Sequence, residues 1–554
     1  MDEVLLSIER LRVAYPHHSG SGSRGSEWAV DDVSLSLKAG ECIGLVGESG
    51  CGKSTIGRTL LRLLPSESTV EGQIEFAGQS VLALSPQELR QFRGECIGLV
   101  FQDPMTRLNP LMTVKDHCLE TLKVHRPNLS ARAAKERVLA ALASVNIPED
   151  RWAQYPHEFS GGMRQRVAIA LTLLLDPKLI VADEPTTSLD VTVSAQILKE
   201  LTRLCRERQM GLILISHDLA LVSEHCDRVA VMYQGKIVEL GPADRILQSP
   251  EHPYTQSLLR AALHLQTEAV AEPESQAQSP NQGVLLKLEN LQQHYDLDSS
   301  LLARLLSKSS KSAIRAVDDI NLEIFAGETL GLVGESGCGK STLSRTILRL
   351  VRPTGGRVIF KNIDLAQLSQ QEMRAYRREL QMIFQDPRAC LNPMMKVGQS
   401  IAEPLLIHKL ATPQEAEARA KKLFERVGLT PANDYYHRYP SDLSGGQLQR
   451  IAIARALITH PKLIICDEPV SMLDASIQAQ VLDLMQDLKD EFELTYLFIT
   501  HDLWVARFFC DRIAVMHRGQ IVELGETESI FRNPQHAYTQ KLLGAAPLLA
   551  RLQT

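Results

Sequence analysis

Several things are missing from this sequence. Its ten cysteines stand singly, with no Cys-x-x-Cys pair and no His/Cys ligand cluster. That excludes a disulfide framework and a structural zinc site, and it suits a reducing cytosol. No apolar run reaches the length of a bilayer span: the most apolar stretch, Val167 to Leu175, is halted by Asp176. The opening MDEVLLSIERL carries acidic residues where a secretion signal needs basic ones. The expectation is a chain that does not cross a membrane by itself. Positive charge is not in excess, with Lys+Arg 60 against Asp+Glu 66 and a formal net charge of −6. Bulk electrostatics therefore points to no nucleic-acid partner.

What is present is bulk and repetition. At 554 residues, 44% hydrophobic and 23% charged, the chain is too long for one ordinary domain and can bury two substantial cores. GLVGESGCGKST occurs twice, with Lys53 and Lys340 offset by 287 positions. Ser160 and Ser444 of two Ser-Gly-Gly triplets, Glu184 and Glu468 of two Asp-Glu-Pro triplets, and His217 and His501 of two His-Asp-Leu triplets are all offset by 284. So constant an offset marks a duplicated domain. Between the copies, Gln266 to Gly283 is rich in Gln, Glu, Ala, Ser and Pro and has no basic residue. It buries too little apolar surface to fold and is read as a linker, giving domains at 1–265 and 284–554.

Short apolar runs alternate with helical patterns. Cys42 to Val46 is a strand, and the Gly-rich loop after it leads into a helix ended by Pro65. Leu179 to Ala182 and Leu212 to Ile215 are continuous apolar runs, as for strands buried on both faces of a parallel sheet. Thr329 to Val333, Leu463 to Cys466 and Tyr496 to Ile499 repeat them. Each half is thus an α/β nucleotide-binding core.

Gly47 to Ser54 and Gly334 to Ser341 both satisfy G-x-x-x-x-G-K-[ST]. Gly47, Gly50 and Gly52, and Gly334, Gly337 and Gly339, let backbone N–H groups curl around phosphate oxygens at a helix N-terminus. Lys53 and Lys340 are expected at the β- and γ-phosphates of ATP, and Ser54 and Ser341 on Mg²⁺. Ser49, Thr55, Ser336 and Thr342 add polar groups to the same loops. Leu179 to Glu184 and Leu463 to Glu468 each end an apolar strand with paired acids. Alone, such a pair is most often a solvated turn. Downstream of a phosphate loop, Asp183 and Asp467 are expected to hold Mg²⁺ through water. Glu184 and Glu468 are expected to orient or deprotonate the attacking water. Phe159-Ser160-Gly161-Gly162-Met163 and Leu443-Ser444-Gly445-Gly446-Gln447 open helical patterns through Arg166 to Leu175 and Arg450 to Ile458. A plain N-cap is the simplest reading of Ser-Gly-Gly.

At these residues the sequence resembles the ATP-binding cassette family, whose signature is LSGGQ. The resemblance covers essentially the whole chain except the linker. It implies two tandem P-loop nucleotide-binding domains, each a mainly parallel-sheet core with an antiparallel β subdomain and a helical signature subdomain. It also implies that the signature Ser160, Gly161 and Gly162, and Ser444, Gly445, Gly446 and Gln447, complete the ATP site of the opposite domain. Met163 departs from the family Gln and puts equal turnover of the two sites in doubt. By the same resemblance Tyr15 and Tyr295 stack on adenine, and ring faces suit that contact. Gln102 and Gln385 sense Mg²⁺ and the membrane partner, Asp190 and Asp474 lie in the loop between the domains, and His217 and His501 meet the γ-phosphate.

Finer marks resemble the importers of peptides, nickel and related solutes. They are FQDPMTRLNP (Phe101 to Pro110), FQDPRACLNP (Phe384 to Pro393), and the tail motifs HPYTQSLL from His252 and HAYTQKLL from His536. Leu301 to Ala313 looks like an insertion common in the second partner of that branch's ATPase pair, where Leu301, Leu302, Leu305 and Leu306 read either as one face of a short helix or as residues of local packing. No cysteine cluster follows either cassette, so no iron–sulfur cluster is expected. The resemblance implies an energy-coupling ATPase at the cytoplasmic face of the inner membrane. Its partners would be two integral-membrane permease subunits and an extracytoplasmic solute-binding protein. The rival is a soluble tandem cassette ATPase acting on ribosomes or nucleic acid. That class resembles a fusion through a long, charged, helical linker, whereas this linker is short, acidic and Pro-containing.

Overall fold

A computed structural model of the chain describes residues 4–16, 28–102, 107–186, 189, 191–267, 283–296 and 313–546. The chain divides into two compact units, Met1–Leu263 and His264–Ala546.

In the first unit a six-stranded sheet is ordered Lys236–Pro242, Arg228–Tyr233, Cys42–Val46, Gly211–Ser216, Leu179–Asp183 and Ile97–Val100. Its strands are parallel except for the antiparallel edge strand Lys236–Pro242. The central strands are buried at every position, which is why their sequence shows no alternation. Their side chains nonetheless point alternately to two cores. Leu179, Val181, Ile213 and Ile215 pack with a four-stranded antiparallel sheet, in the order Trp28–Lys38, Val4–Ala14, Thr69–Phe76, Gln79–Ser80. Ile180, Ala182, Leu212 and Leu214 pack with the helices Val114–His125, Ala131–Ser144 and Gly161–Leu173. The period-two side-chain rule thus places one layer on each face of the sheet.

The second unit repeats this architecture. Its six-stranded sheet is ordered Leu380–Ile383, Leu463–Asp467, Thr495–Thr500, Thr329–Val333, Arg512–His517 and Gln520–Glu526. Ile464, Cys466, Tyr496 and Phe498 face its helical layer, and Leu463, Ile465, Leu497 and Ile499 its antiparallel sheet. The fold class read from the sequence is the one observed.

Two details differ from the sequence reading. The helix after the first phosphate loop, Lys53–Leu60, stops before Pro65. Arg62 turns into the left-handed region at φ 50°, and its N–H reaches Thr59 O at 2.9 Å while Leu63 N–H reaches Arg58 O at 2.8 Å. This is a Schellman closure without glycine, and Arg349 makes its twin in the second unit. The linker reading also began early, because the helix Pro253–Thr267 continues through Gln266 and Thr267. Residues 268–282 of the linker, Asp190, and residues 301–312 of the expected insertion lie outside the described residues. No helix among the described residues is long and apolar enough to cross a membrane.

Candidate functional site

Each phosphate loop joins a buried strand to a helix whose N-cap is glycine. Gly52 holds φ 104°, and a Cβ there would stand 2.3 Å from Ala29 O, so no other residue fits. Gly339 is in the same position, with φ 113° and 1.9 Å to Ala316 O. Gly50 and Gly337, at the crest of each loop, differ from these. They are also left-handed, at φ 85° and 82°, but a Cβ on either would meet nothing within 4 Å. Backbone conformation alone calls for glycine there, and the space beside it stays open for a ligand to approach the loop. Neither N-cap glycine offers a side-chain cap, so the first N–H groups of these helices are not satisfied by a cap residue and face the loop. That is the arrangement that takes an anion.

Lys53 is buried, and its Nζ donates to Gly47 O at 2.6 Å and Glu48 O at 2.9 Å. Lys340 does the same to Gly334 O at 2.7 Å and Glu335 O at 3.0 Å. The ammonium is thus stored against its own loop, within the curve where phosphate oxygens would lie. Ser54 Oγ donates to Asp183 Oδ1 at 2.7 Å, and Ser341 Oγ to Asp467 Oδ1 at 3.2 Å. Burial pushes both aspartates above the usual carboxylate range, and the serine hydrogen bond offsets this only in part. A hydroxyl and a desolvated carboxylate side by side form the hard-oxygen donor set that suits Mg²⁺, whose charge would relieve that desolvation.

Glu184 and Glu468 follow the ends of their strands in left-handed backbone, at φ 46° and φ 50°. Their N–H groups bond Ile215 O and Ile499 O, both at 2.9 Å. Single-residue strain of this kind costs about 1–3 kcal/mol and occurs here at two equivalent positions. Gln102 Nε2 donates to Glu184 Oε2 at 2.8 Å, and Gln385 Nε2 to Glu468 Oε2 at 2.8 Å. His217 Nδ1 lies 3.5 Å from Glu184 Oε1, and His501 Nδ1 lies 3.2 Å from Glu468 Oε2. Burial alone would raise Glu468, but the hydrogen bond and charge of His501 hold it below its ordinary value. Burial alone would lower His501, and Glu468 outweighs it and raises the imidazole. Lysine, Ser–Asp pair, acid, glutamine and histidine therefore converge in each unit at the carboxyl ends of the central strands. That combination can bind a polyphosphate and direct a water at its terminal phosphorus.

The signature residues also fall into place within each unit. Ser160 and Ser444 cap the helices Gly161–Leu173 and Gly445–Leu457, accepting from the N–H of Met163 and Gln447. Gln447 completes a capping box, its Oε1 accepting from Ser444 N–H at 3.0 Å, and its Nε2 reaches Tyr435 Oη at 3.2 Å. Met163 can do neither. Gly162 and Gly446 are spacers: a Cβ would meet Val193 at 2.4 Å or Ile477 at 2.7 Å on the next helix. Asp474 is the buried N-cap residue of the helix Ala475–Phe492. Tyr15 Oη lies 3.1 Å from Thr55 Oγ1, beside the start of the loop helix, while Tyr295 is exposed at the end of the strand Val284–Asp296.

Sequence reasoning missed two residues that hold the loops from outside them. Tyr254 Oη accepts from Glu48 N–H at 3.1 Å, and Tyr538 Oη from Glu335 N–H at 3.0 Å. Their shared His-x-Tyr-Thr-Gln motif, at the same offset of 284, was the signal that could have found them.

The family profile described as ABC transporter matches residues 30–187 and 317–471. The profile described as Oligopeptide/dipeptide transporter, C-terminal region, matches residues 238–284 and 522–554. The glutathione import ATP-binding protein GsiA of Escherichia coli (strain K12) is 42% identical over 571 aligned residues, covering 98% of this chain and 90% of that protein. Its counterpart in Shigella boydii serotype 4 (strain Sb227) matches to the same extent. Among solved structures, the dimeric post-hydrolysis state of the ATP-binding cassette MJ0796 bound to ADP and Pi is 30% identical, covering 44% of this chain and 98% of that one, with a TM-score of 0.39. The chain belongs to the ABC transporter family, as an ATPase with two cassettes fused in tandem and the oligopeptide/dipeptide C-terminal region after each.

Proposed function

We propose that the chain is the energy-coupling subunit of an importer for short peptides or closely related solutes, glutathione among them. The observation that carries this reading is full-length similarity to a glutathione import subunit, including the C-terminal region of both halves. None of these relatives supports the ribosome-acting alternative. The partners are two integral-membrane permease subunits and an extracytoplasmic binding protein, with the chain held peripherally at the cytoplasmic face.

Bound Mg²⁺-ATP supplies the scissile phosphoanhydride and the countercharge on its oxygens. Lys53 and Lys340 exchange their loop carbonyls for phosphate oxygens, and the helix N-termini after Gly52 and Gly339 add N–H donors. Ser54 with Asp183, and Ser341 with Asp467, provide oxygen ligands for the metal. Glu184 and Glu468 orient the attacking water and accept its proton, while Gln102, Gln385, His217 and His501 hold those carboxylates in place. Tyr15 and Tyr295 offer ring faces to adenine.

The test is uptake of labelled di- and tripeptides, glutathione included, in cells whose only copy of this chain is wild type or the Lys53→Ala/Lys340→Ala pair. The reading expects uptake lost in the pair and restored by the wild type. Unchanged peptide uptake, with loss of a sugar or amino acid instead, contradicts the solute class.

A further inference from the structure

We infer that Tyr254 and Tyr538 are positioning residues for ATP, each fixing the phosphate loop of its own cassette through one peptide group. The inference rests on reading Gly47–Ser54 and Gly334–Ser341 as the ATP loops. The bonds concerned sit on a single peptide plane. The carbonyl of Gly47 accepts from Lys53 Nζ at 2.6 Å, and the N–H of the same peptide unit, that of Glu48, donates to Tyr254 Oη at 3.1 Å. The Gly334–Glu335 peptide is bracketed in the same way, by Lys340 at 2.7 Å and Tyr538 at 3.0 Å. When Lys53 turns to a phosphate, the carbonyl loses its partner and one restraint on that peptide disappears. The tyrosine hydroxyl is a restraint on the same plane that does not depend on the lysine. It keeps the plane from rotating, and so keeps the following N–H groups aimed into the loop.

The tyrosines are themselves fixed by construction. In the first unit, the Glu239 carboxylate accepts from Glu251 N–H at 2.8 Å and His252 N–H at 3.1 Å. His252 Nδ1 in turn accepts from Tyr254 N–H at 3.1 Å. In the second unit, Glu523 accepts from Gln535 N–H at 2.7 Å and His536 N–H at 3.0 Å, and His536 Nδ1 from Tyr538 N–H at 3.2 Å. Each phenol ring packs on the residue that ends the neighbouring strand, with centroids 4.3 Å apart for Tyr233–Tyr254 and 4.0 Å for His517–Tyr538. A simple packing role explains a buried ring. It does not explain why a carboxylate, an imidazole and a hydroxyl recur in both halves, with the hydroxyl on the same loop amide each time. The segment that follows each cassette is thereby wired to the loop that grips nucleotide.

Removing only the hydroxyl leaves the ring packing intact. It lets the loop sample orientations that do not bind, and apparent affinity falls with the competent fraction. The experiment uses the full chain with Lys340→Ala, so that only the first cassette binds tightly, and a fluorescent ATP analogue as the probe. Tyr254→Phe is expected to raise Kd about three- to tenfold, the range of one net hydrogen bond. Saturated kcat should change less than about twofold, and Tm should fall by no more than about 2–4 °C, which is what one hydrogen bond is worth. Lys53→Ala is the control for the underlying reading: if it leaves Kd unchanged, that reading falls and takes the inference with it. If Lys53→Ala weakens binding and Tyr254→Phe does not, the tyrosine role alone is overturned. A Tyr254→Phe variant that loses kcat, Kd and Tm together is also against it, since that is the pattern of a merely structural residue. Should that variant fail to fold, Tyr538→Phe in a Lys53→Ala background reads the same quantities at the other loop.

Discussion

Gln385 donates its side-chain amide to Glu468 at 2.8 Å, and so ties the acid at the end of one strand to the loop that follows its neighbour. The equivalent Gln102–Glu184 bond has the same length. An acid anchored in this way keeps its direction while its charge stays available to a water. Replacing it with the isosteric amide removes the charge and keeps the shape.

Glu184→Gln or Glu468→Gln is therefore expected to slow hydrolysis at the altered site by at least about 10²-fold, while ATP binding persists. Single-turnover kinetics with radiolabelled ATP reads both quantities. Unchanged turnover in the double variant contradicts the role given to these acids.

The His501–Glu468 pair predicts a pH dependence of stability. His501 is raised in the folded protein, so its contribution is fully present below about pH 6.5 and is lost as pH rises through the raised value. Glu468 is lowered, so its contribution is present above about pH 4.3 and is lost as pH falls through the lowered value. The two overlap between about pH 4.3 and 6.5. The Tm deficit of His501→Gln against wild type should be largest in that window and shrink by pH 8.5. A deficit that grows with pH contradicts the pairing.

The asymmetry of the signature helices is testable by exchange. Gln447→Met removes the reciprocal half of a capping box and the bond to Tyr435, and should cost about 0.5–1.5 kcal/mol. Met163→Gln should add a smaller amount, because Arg151, not a tyrosine, stands in the matching place before Ser160. Differential scanning calorimetry resolves shifts of about 1–4 °C for changes of this size. Equal shifts in the same direction contradict the capping account.

Much of this was legible in the sequence because it depends on local rules. Strands buried on both faces read as unbroken apolar runs, and Leu179–Asp183 and Leu463–Asp467 sit within a residue of where those runs placed them. The loop glycines, lysines and acids stand out in the sequence because phosphate chemistry would demand residue types at fixed spacing, and the fold brings the lysines and the Ser–Asp pairs to the same loops. Helix ends were less so. Arg62 and Arg349 close helices in a conformation usually given to glycine, which no local propensity foretells. The repeated His-x-Tyr-Thr-Gln motif marks Tyr254 and Tyr538 in the sequence, but what their hydroxyls touch is not legible there. Each contact joins positions more than 200 residues apart, and a tyrosine in an amphipathic helix looks like any packed ring until the fold brings its hydroxyl to the loop.

The central claim is that the chain holds two complete ATP sites. Nucleotide stoichiometry in the Glu184→Gln/Glu468→Gln chain, measured by equilibrium dialysis with Mg²⁺ and radiolabelled ATP, tests it most directly. The account predicts two ATP per chain, one when Lys53→Ala or Lys340→Ala is added, and none tightly held when both are. A single ATP per chain before either lysine is changed, or two retained after both are, would contradict it.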